Sequence, residues 1–301
     1  MSSPNRSTLL SKIHRVLKKR YKPFVPRGEQ PVLETMLFAC CLENTPYEVA
    51  EKVYQLVRKA FFDWNEIRVT TVKELAEVMS ALPDAAAAAA NLKDVLQNTF
   101  ENEYCFELEV LKKKNLGDAI KRIQKLEGAS PFVVAFATQV ALGGHSIPVD
   151  QGALGVLHVL GAITEAEQVA RTVPGMERAI SKNKGIEFGS LLHELGAEFF
   201  ANPFSPQLRE FLLTIAPDAK HRFPKRASKK PLPVPTPEPP IIEARAGKKP
   251  LDAPAPTGKK KEVAPPKKPA EPARPAKKKA PAAAPVKRKA VAKSLAKRKP
   301  R

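Results

Sequence analysis

The apolar residues of this 301-residue chain recur at helical spacing from Leu9 to Leu213 and then stop. That boundary confines any buried core to about the first 220 residues, enough for one sizeable domain or two small lobes. Leu9, Leu10, Ile13, Val16 and Leu17 mark a first helix behind Ser7 as a possible N-cap, and Pro23, Pro26 and Gly28 break it. Further helical patterns cover Val32 to Leu42, the stretch from Thr45-Pro46, Thr71 to Leu82, and the alanine run from Ala85 through Leu96. Asn115 to Leu126, a long apolar segment from Phe132 to Gly143-Gly144, and Gln151 to Leu160 follow. Thr164 to Val169, Gly175 to Ser181, Ile186 to Phe200 and Pro206 to Leu213 complete the series. No alternating strand pattern of useful length interrupts them, so the body is expected to be all-α.

Charge divides the chain the same way. The net charge of +20 is spread very unevenly. Residues 220–301 carry 26 Lys/Arg against 5 Asp/Glu and 18 of the 30 prolines. Residues 1–28 carry 8 basic residues and no acid, while residues 29–219 are net negative by 9. We therefore expect three parts: a basic N-terminal helix (1–28) packing with the second lobe, a helical body (29–219) and a Lys/Pro/Ala-rich tail (220–301). The tail lacks apolar content and repels itself, so it is expected to be disordered. Its clusters Lys259-Lys260-Lys261, Lys277-Lys278-Lys279 and Lys287-Arg288-Lys289 resemble those of linker-histone tails. Such clusters bind duplex DNA without reading its sequence, by releasing counterions.

Several function classes fall away. The longest mostly apolar run, Phe132 to Gly144, is too short for a membrane span, and no membrane partner is expected. Cys40, Cys41 and Cys105 form neither a disulfide framework nor a metal spacing, which fits a reducing compartment. The five histidines, His14, His145, His158, His193 and His221, show no ligand pattern, so no metal is assigned. We expect a monomer in the cytoplasm, associated with the nucleoid, or in the nucleus of a eukaryotic cell.

The chemistry-bearing stretch is Leu126-Glu127-Gly128-Ala129-Ser130-Pro131-Phe132, a glycine-bearing hairpin between two helices, followed 18 residues later by Val149-Asp150 at the head of another. Backbone amides of such a hairpin, here Gly128, Ala129 and Ser130, can be aimed at a DNA phosphate. Leu126 to Asp150 resembles, without a gap, the hairpin and the Val-Asp of the helix-hairpin-helix DNA glycosylase superfamily of the endonuclease III type. Met36 to Thr45 resembles that family's pocket-lining segment, and Gly196 the glycine of its late helix. The resemblance spans about residues 30–220. It implies a two-lobed helical fold, DNA as partner, base eversion into a pocket, and Asp150 as the catalytic carboxylate, with Glu43, Asn44 and Phe132 lining the pocket.

Where the sequence departs from the family, it alters the implied chemistry. The lyase lysine of bifunctional members is replaced by Phe132, which cannot form an imine, so base removal without strand cleavage is implied. Ser130 stands for the second hairpin glycine, Pro131 lacks an amide hydrogen, and Glu43 stands where glutamine is common. No cysteine follows Cys105, so the family's iron–sulfur cluster is not expected and no cofactor is assigned. Asp150 also has a plainer role open to it as the N-cap of its helix. Two rivals stand beside a monofunctional N-glycosylase: a catalytically inactive DNA-binding or nucleoid-associated protein with this fold, and a protein-interaction body whose tail alone touches DNA.

Overall fold

The computed structural model describes residues 6–24, 26 and 29–225. The chain divides into a unit spanning Met1–Lys230 and a second spanning Pro231–Arg301. All described residues belong to the first. The tail clusters at 259–261, 277–279 and 287–289 lie outside the described residues.

The described residues are all-helical, with no strand among them. A first lobe holds α2 (Val32–Leu42), α3 (Tyr47–Ala60), α4 (Trp64–Val69), α5 (Val72–Val78) and α6 (Ala85–Glu103). It continues through a 3-10 turn at Glu109–Lys113, α7 (Leu116–Gln124) and α8 (Pro131–Val140). Leu37, Cys41, Val53, Leu92, Leu96, Phe132 and Phe136 share its core. A second lobe is assembled from both ends of the body: α1 (Arg6–Arg20) joins α9 (Gln151–Val159), α10 (Glu165–Val169), α11 (Met176–Ala179), α12 (Lys182–Ala201), α13 (Pro206–Ile215) and a 3-10 turn at Pro217–His221. Leu10, Ile13, Leu17, Leu157, Phe188, Leu195 and Leu212 fill its core.

Helix boundaries follow local chemistry. Asp84, Ser130, Asp150 and Thr164 each cap a helix with a side-chain oxygen. The helix expected over Thr71 to Leu82 stops at Val78: Met79 leaves helical geometry at φ −90° and ψ 12°, and the Ser80 and Leu82 amides turn back to the carbonyls of Glu77 and Met79, three residues earlier. Met79 and Leu82 remain buried within the turn, so the apolar period outlasts the helix. The segment from Phe132 likewise ends at Val140, where Gly143 turns with φ 63° and the Gly144 amide donates to the Thr138 carbonyl at 2.8 Å.

The basic first helix is fastened to the second lobe by its own cations. Arg6 pairs with Glu167 at 2.8 Å, Lys18 with Glu187 at 2.8 Å and Arg20 with Glu198 at 2.7 Å. The Arg20 guanidinium also stacks 4.4 Å from the Phe211 ring, and Lys12 donates to the Ile215 carbonyl. Four of the six cations of this helix are thereby committed within the chain. A phosphate contact by this helix rests on fewer cations than the count of basic residues implies.

Two glycines set how the site is built. A Cβ on Gly152 would lie 2.1 Å from the Gly196 carbonyl oxygen, and one on Gly196 would lie 2.5 Å from the Ala153 amide nitrogen. Helices α9 and α12 therefore cross backbone against backbone. That crossing brings the head of α9, with Asp150, against the middle of α12, with His193.

Candidate functional site

Asp150 sits at the junction of the lobes, with its side chain wholly removed from solvent. Its Oδ1 accepts from the Ala153 amide at 2.7 Å, as an N-cap does. Its Oδ2 accepts from the Asn44 amide at 3.3 Å and lies 2.8 Å from Nδ1 of His193. The Nδ1 contact is close in distance but off the ideal hydrogen-bond direction, so it acts as an ion pair more than as an aligned bond. The other ring nitrogen of His193 lies 2.7 Å from the Thr45 carbonyl. Both ring nitrogens face only acceptors, and the imidazolium is the one form that donates from both. Burial pulls the His193 pKa down, but the Asp150 charge and the bonds to Asp150 and Thr45 outweigh it and leave the pKa raised. The result is a buried ion pair.

Phe132 completes this centre from below. It is 2 % exposed, stacked on His193 with ring centroids 5.5 Å apart and on Phe136 at 6.1 Å. The pocket wall expected from Phe132 is absent: the ring belongs to the first-lobe core and does not reach the open cleft. Helix α8 is apolar on nearly every side, so its first turn is drawn inward rather than left facing solvent.

Asn44 is equally committed. It holds a left-handed conformation (φ 59°) at the end of α2 and accepts from the Gly152 amide through Oδ1 at 3.0 Å. It therefore staples the end of α2 to the head of α9.

The hairpin between α7 and α8 is tightly seated. Gly128 turns with φ 79°, and a Cβ there would lie 2.3 Å from the Asn91 carbonyl oxygen of α6, so no larger residue fits without shifting the backbone. The Ala129 amide donates to the Leu126 carbonyl at 3.2 Å, and the Ser130 amide to the Gly128 carbonyl at 3.0 Å. Two of the three hairpin amides are thus already engaged within the turn. Ser130 caps α8 by accepting from the Val133 amide at 3.2 Å, while its hydroxyl donates to Glu43 Oε2 at 2.7 Å.

Above this junction lies a cleft of about 470 Å³. Glu43, Asn44, Asp84, Asn91, Gly128, Ala129, Ser130, Gln151, Arg171 and Phe200 are among the residues lining it. It draws together Glu43, Asn44 and the three hairpin residues. Asp150 stands behind the wall, not on it. Burial raises the Glu43 carboxyl above its ordinary value of 4.5, with the Asp150 charge adding to the shift against the Ser130 hydroxyl, Arg171 and His193. Cys40 also lines the cleft, but burial pushes its thiol well up, which leaves it unreactive. Among the described residues no three His, Cys, Asp or Glu side chains converge as a metal site. No helix among them is long and apolar enough to cross a membrane.

His193, Gln151 and Arg171 were not singled out from the sequence. His193 had no local pattern to mark it, because its partner lies 43 residues upstream on another helix. Gln151 was visible only as the residue after a capping aspartate. Arg171 lies where a helix-ending glycine is usual.

A scan against protein-family models and a search of curated proteins returned no match. Solved structures do match. A non-covalent endonuclease III–DNA complex overlays with a TM-score of 0.53 at 16% identity, covering 73% of this chain and 99% of that one. A trapped covalent endonuclease III–DNA intermediate overlays with a TM-score of 0.50, at the same identity and coverage. The two-lobed helical body of this chain thus has the endonuclease III fold, that of the helix-hairpin-helix DNA glycosylases.

Proposed function

We propose that this chain is a DNA-binding protein of the base-excision-repair type, whose cleft receives a nucleotide everted from duplex DNA, and that its reaction is hydrolysis of an N-glycosidic bond without strand cleavage. The observation that carries this is the cleft itself. It opens between the hairpin and the head of α9, and Glu43, Gln151 and Arg171 offer it a carboxyl, an amide and a guanidinium. An everted base buries its face in such a site and is read by polar groups on its edge. Glu43, with its raised pKa, is suited to meet a base amino group or to donate a proton to a leaving base. Asp150 stands behind the cleft as one half of the ion pair with His193, and its charge opposes the positive charge that grows on the sugar once the imidazolium gives up its proton. Phe132 has no amine, and the cleft lining among the described residues contains no lysine, so imine chemistry has no donor there. The basic tail adds sequence-independent affinity for duplex DNA, and the protein is proposed to act as a monomer without a resident cofactor, in the compartment that holds the chromosome.

One observation favours a second reading, a DNA-binding protein that keeps the fold without the reaction. The Asp150 side chain is wholly buried and both of its oxygens are engaged. The full-length chain incubated with a panel of damaged duplexes, followed by hot alkali, separates the two. Base release that is lost in both Glu43→Gln and Asp150→Asn supports the glycosylase, provided each variant keeps the wild-type circular dichroism. Release from no lesion, together with selective binding, leaves the inactive reading. Borohydride trapping of a covalent adduct would contradict the assignment of Phe132.

A further inference from the structure

Helices α9 and α10 end in the same way but with different residues. After α9, the Gly161 amide donates to the His158 carbonyl at 2.9 Å and the Ala162 amide to the Leu157 carbonyl at 2.8 Å, with Gly161 at φ 76°. After α10, the Arg171 amide donates to the Gln168 carbonyl at 3.1 Å and the Thr172 amide to the Glu167 carbonyl at 3.0 Å, with Arg171 at φ 52°. This is the Schellman ending, in which the left-handed position is ordinarily glycine because a side chain there is strained. The chain places glycine at the first of these turns and arginine at the second. Tyr104 closes α6 in the same left-handed region at φ 54°, so the conformation alone assigns no role, and the surroundings of Arg171 decide what it serves.

Arg171 is exposed, and its guanidinium makes no hydrogen bond or ion pair among the described residues, though its charge is felt at Glu43. It is also the one cation among the described residues lining the cleft, whose other charged groups, Glu43 and Asp84, are acids. The turn that carries it is fixed from both sides by a single residue of α1. Arg6 donates through Nη1 to the Pro174 carbonyl at 2.9 Å and through Nη2 to the Glu167 carboxylate at 2.8 and 2.9 Å. Glu167 in turn caps the start of α10. A guanidinium without a hydrogen-bond partner, carried on a pinned backbone turn at the rim of a cleft, is placed to take an anion.

We propose that Arg171 grips the phosphodiester beside the nucleotide that enters the cleft. This rests on the reading that the cleft receives an everted nucleotide. The rim position fits a phosphate, which stays at the duplex surface, rather than a base edge, which would be buried beside Glu43. Because the contact forms only when the backbone is drawn to the cleft, Arg171 contributes to binding of distorted DNA and not to the general affinity of the tail.

The test uses the full chain and takes a ratio, so that the contribution of the tail cancels. Dissociation constants are measured for a matched duplex and for one of the same length carrying a single mismatch, with wild type, Arg171→Gly and Arg171→Ala. Wild type is expected to prefer the mismatched duplex, and both variants to lose about ten-fold of that preference, as for one charge-assisted contact. Arg171→Gly is also expected to melt about 2–4 °C higher than wild type, because glycine relieves the left-handed strain. Loss of selectivity in a stabilised protein is an outcome that general damage to the fold cannot produce. Retention of the wild-type ratio in Arg171→Gly would overturn the phosphate contact while leaving the cleft reading intact. A lower melting temperature in that variant would overturn the strain argument. A wild-type chain with no preference for the mismatch would overturn both the contact and the cleft reading.

Discussion

Asp150 and Glu43 lie close to the same helix junction, and the chain treats the two carboxyls differently. Asp150 is sealed in the centre, where the Ala153 and Asn44 amides and His193 take up its oxygens. Glu43 reaches the cleft, is held by one hydroxyl and looks out toward the unpartnered guanidinium of Arg171. The centre is saturated and the rim is not. A saturated polar centre fixes geometry, whereas an unsaturated rim retains capacity for a ligand. The residue most expected to act on a substrate therefore proves the most tightly committed to the fold, and the groups free to meet a ligand lie one layer above it.

The comparison is sharpened first by breaking the centre. Asp150→Ala strips the buried imidazolium of its counter-charge and α9 of its cap, and is expected to cost about 3–5 kcal/mol, measured by denaturant unfolding. Glu43→Gln at the rim is expected to cost under about 1 kcal/mol. Similar losses for the two would erase the distinction between centre and rim. A step down in size is Gly196→Ala, which would push a methyl against the Ala153 backbone and is expected to cost about 2–3 kcal/mol. A neutral outcome there would mean that α9 and α12 can separate without consequence for the site.

The ion pair also sets a pH dependence. The His193 pKa is raised above its ordinary value of 6.5, so the folded state holds the proton more tightly than the unfolded chain. The stabilisation is fully present below pH 6.5 and is lost as pH rises through the raised folded value. Melting temperatures followed upward from pH 6.5 are expected to fall in wild type relative to His193→Gln. Parallel curves would show that the pair carries no proton-linked stability. The smallest effect is expected from Arg6→Ala, under about 1 kcal/mol, because the Arg6–Glu167 pair is partly solvated. Its signature is faster amide exchange in residues 167–175 with the rest of the body unchanged.

Much of the fold was legible because helices are local. Apolar period marked most of them, and the capping residue type at Asp150 marked the start of α9. The helix α4 was missed although Asp63 accepts from the Glu66 amide at 2.8 Å, a capping signal that the sequence carries openly as Asp63-Trp64-Asn65-Glu66. The site was legible in position but not in role. Spacing placed Asp150 at a helix head, yet nothing along the chain reveals that His193 on α12 neutralises it, since that contact depends on the Gly152–Gly196 crossing. Arg171 escaped for the opposite reason: its meaning lies in a backbone conformation, and a sequence lists residues, not φ angles.

The central claim is that DNA is engaged at the cleft, with one nucleotide unstacked into it. A duplex carrying 2-aminopurine in a mismatched pair tests this directly, because stacking quenches its fluorescence. Binding of the full chain is predicted to raise the emission, and Glu43→Gln with Arg171→Ala to abolish the rise while the tail still holds the duplex. Tight binding by wild type with no change in emission would contradict the account, and would leave the tail as the part of the molecule that binds DNA.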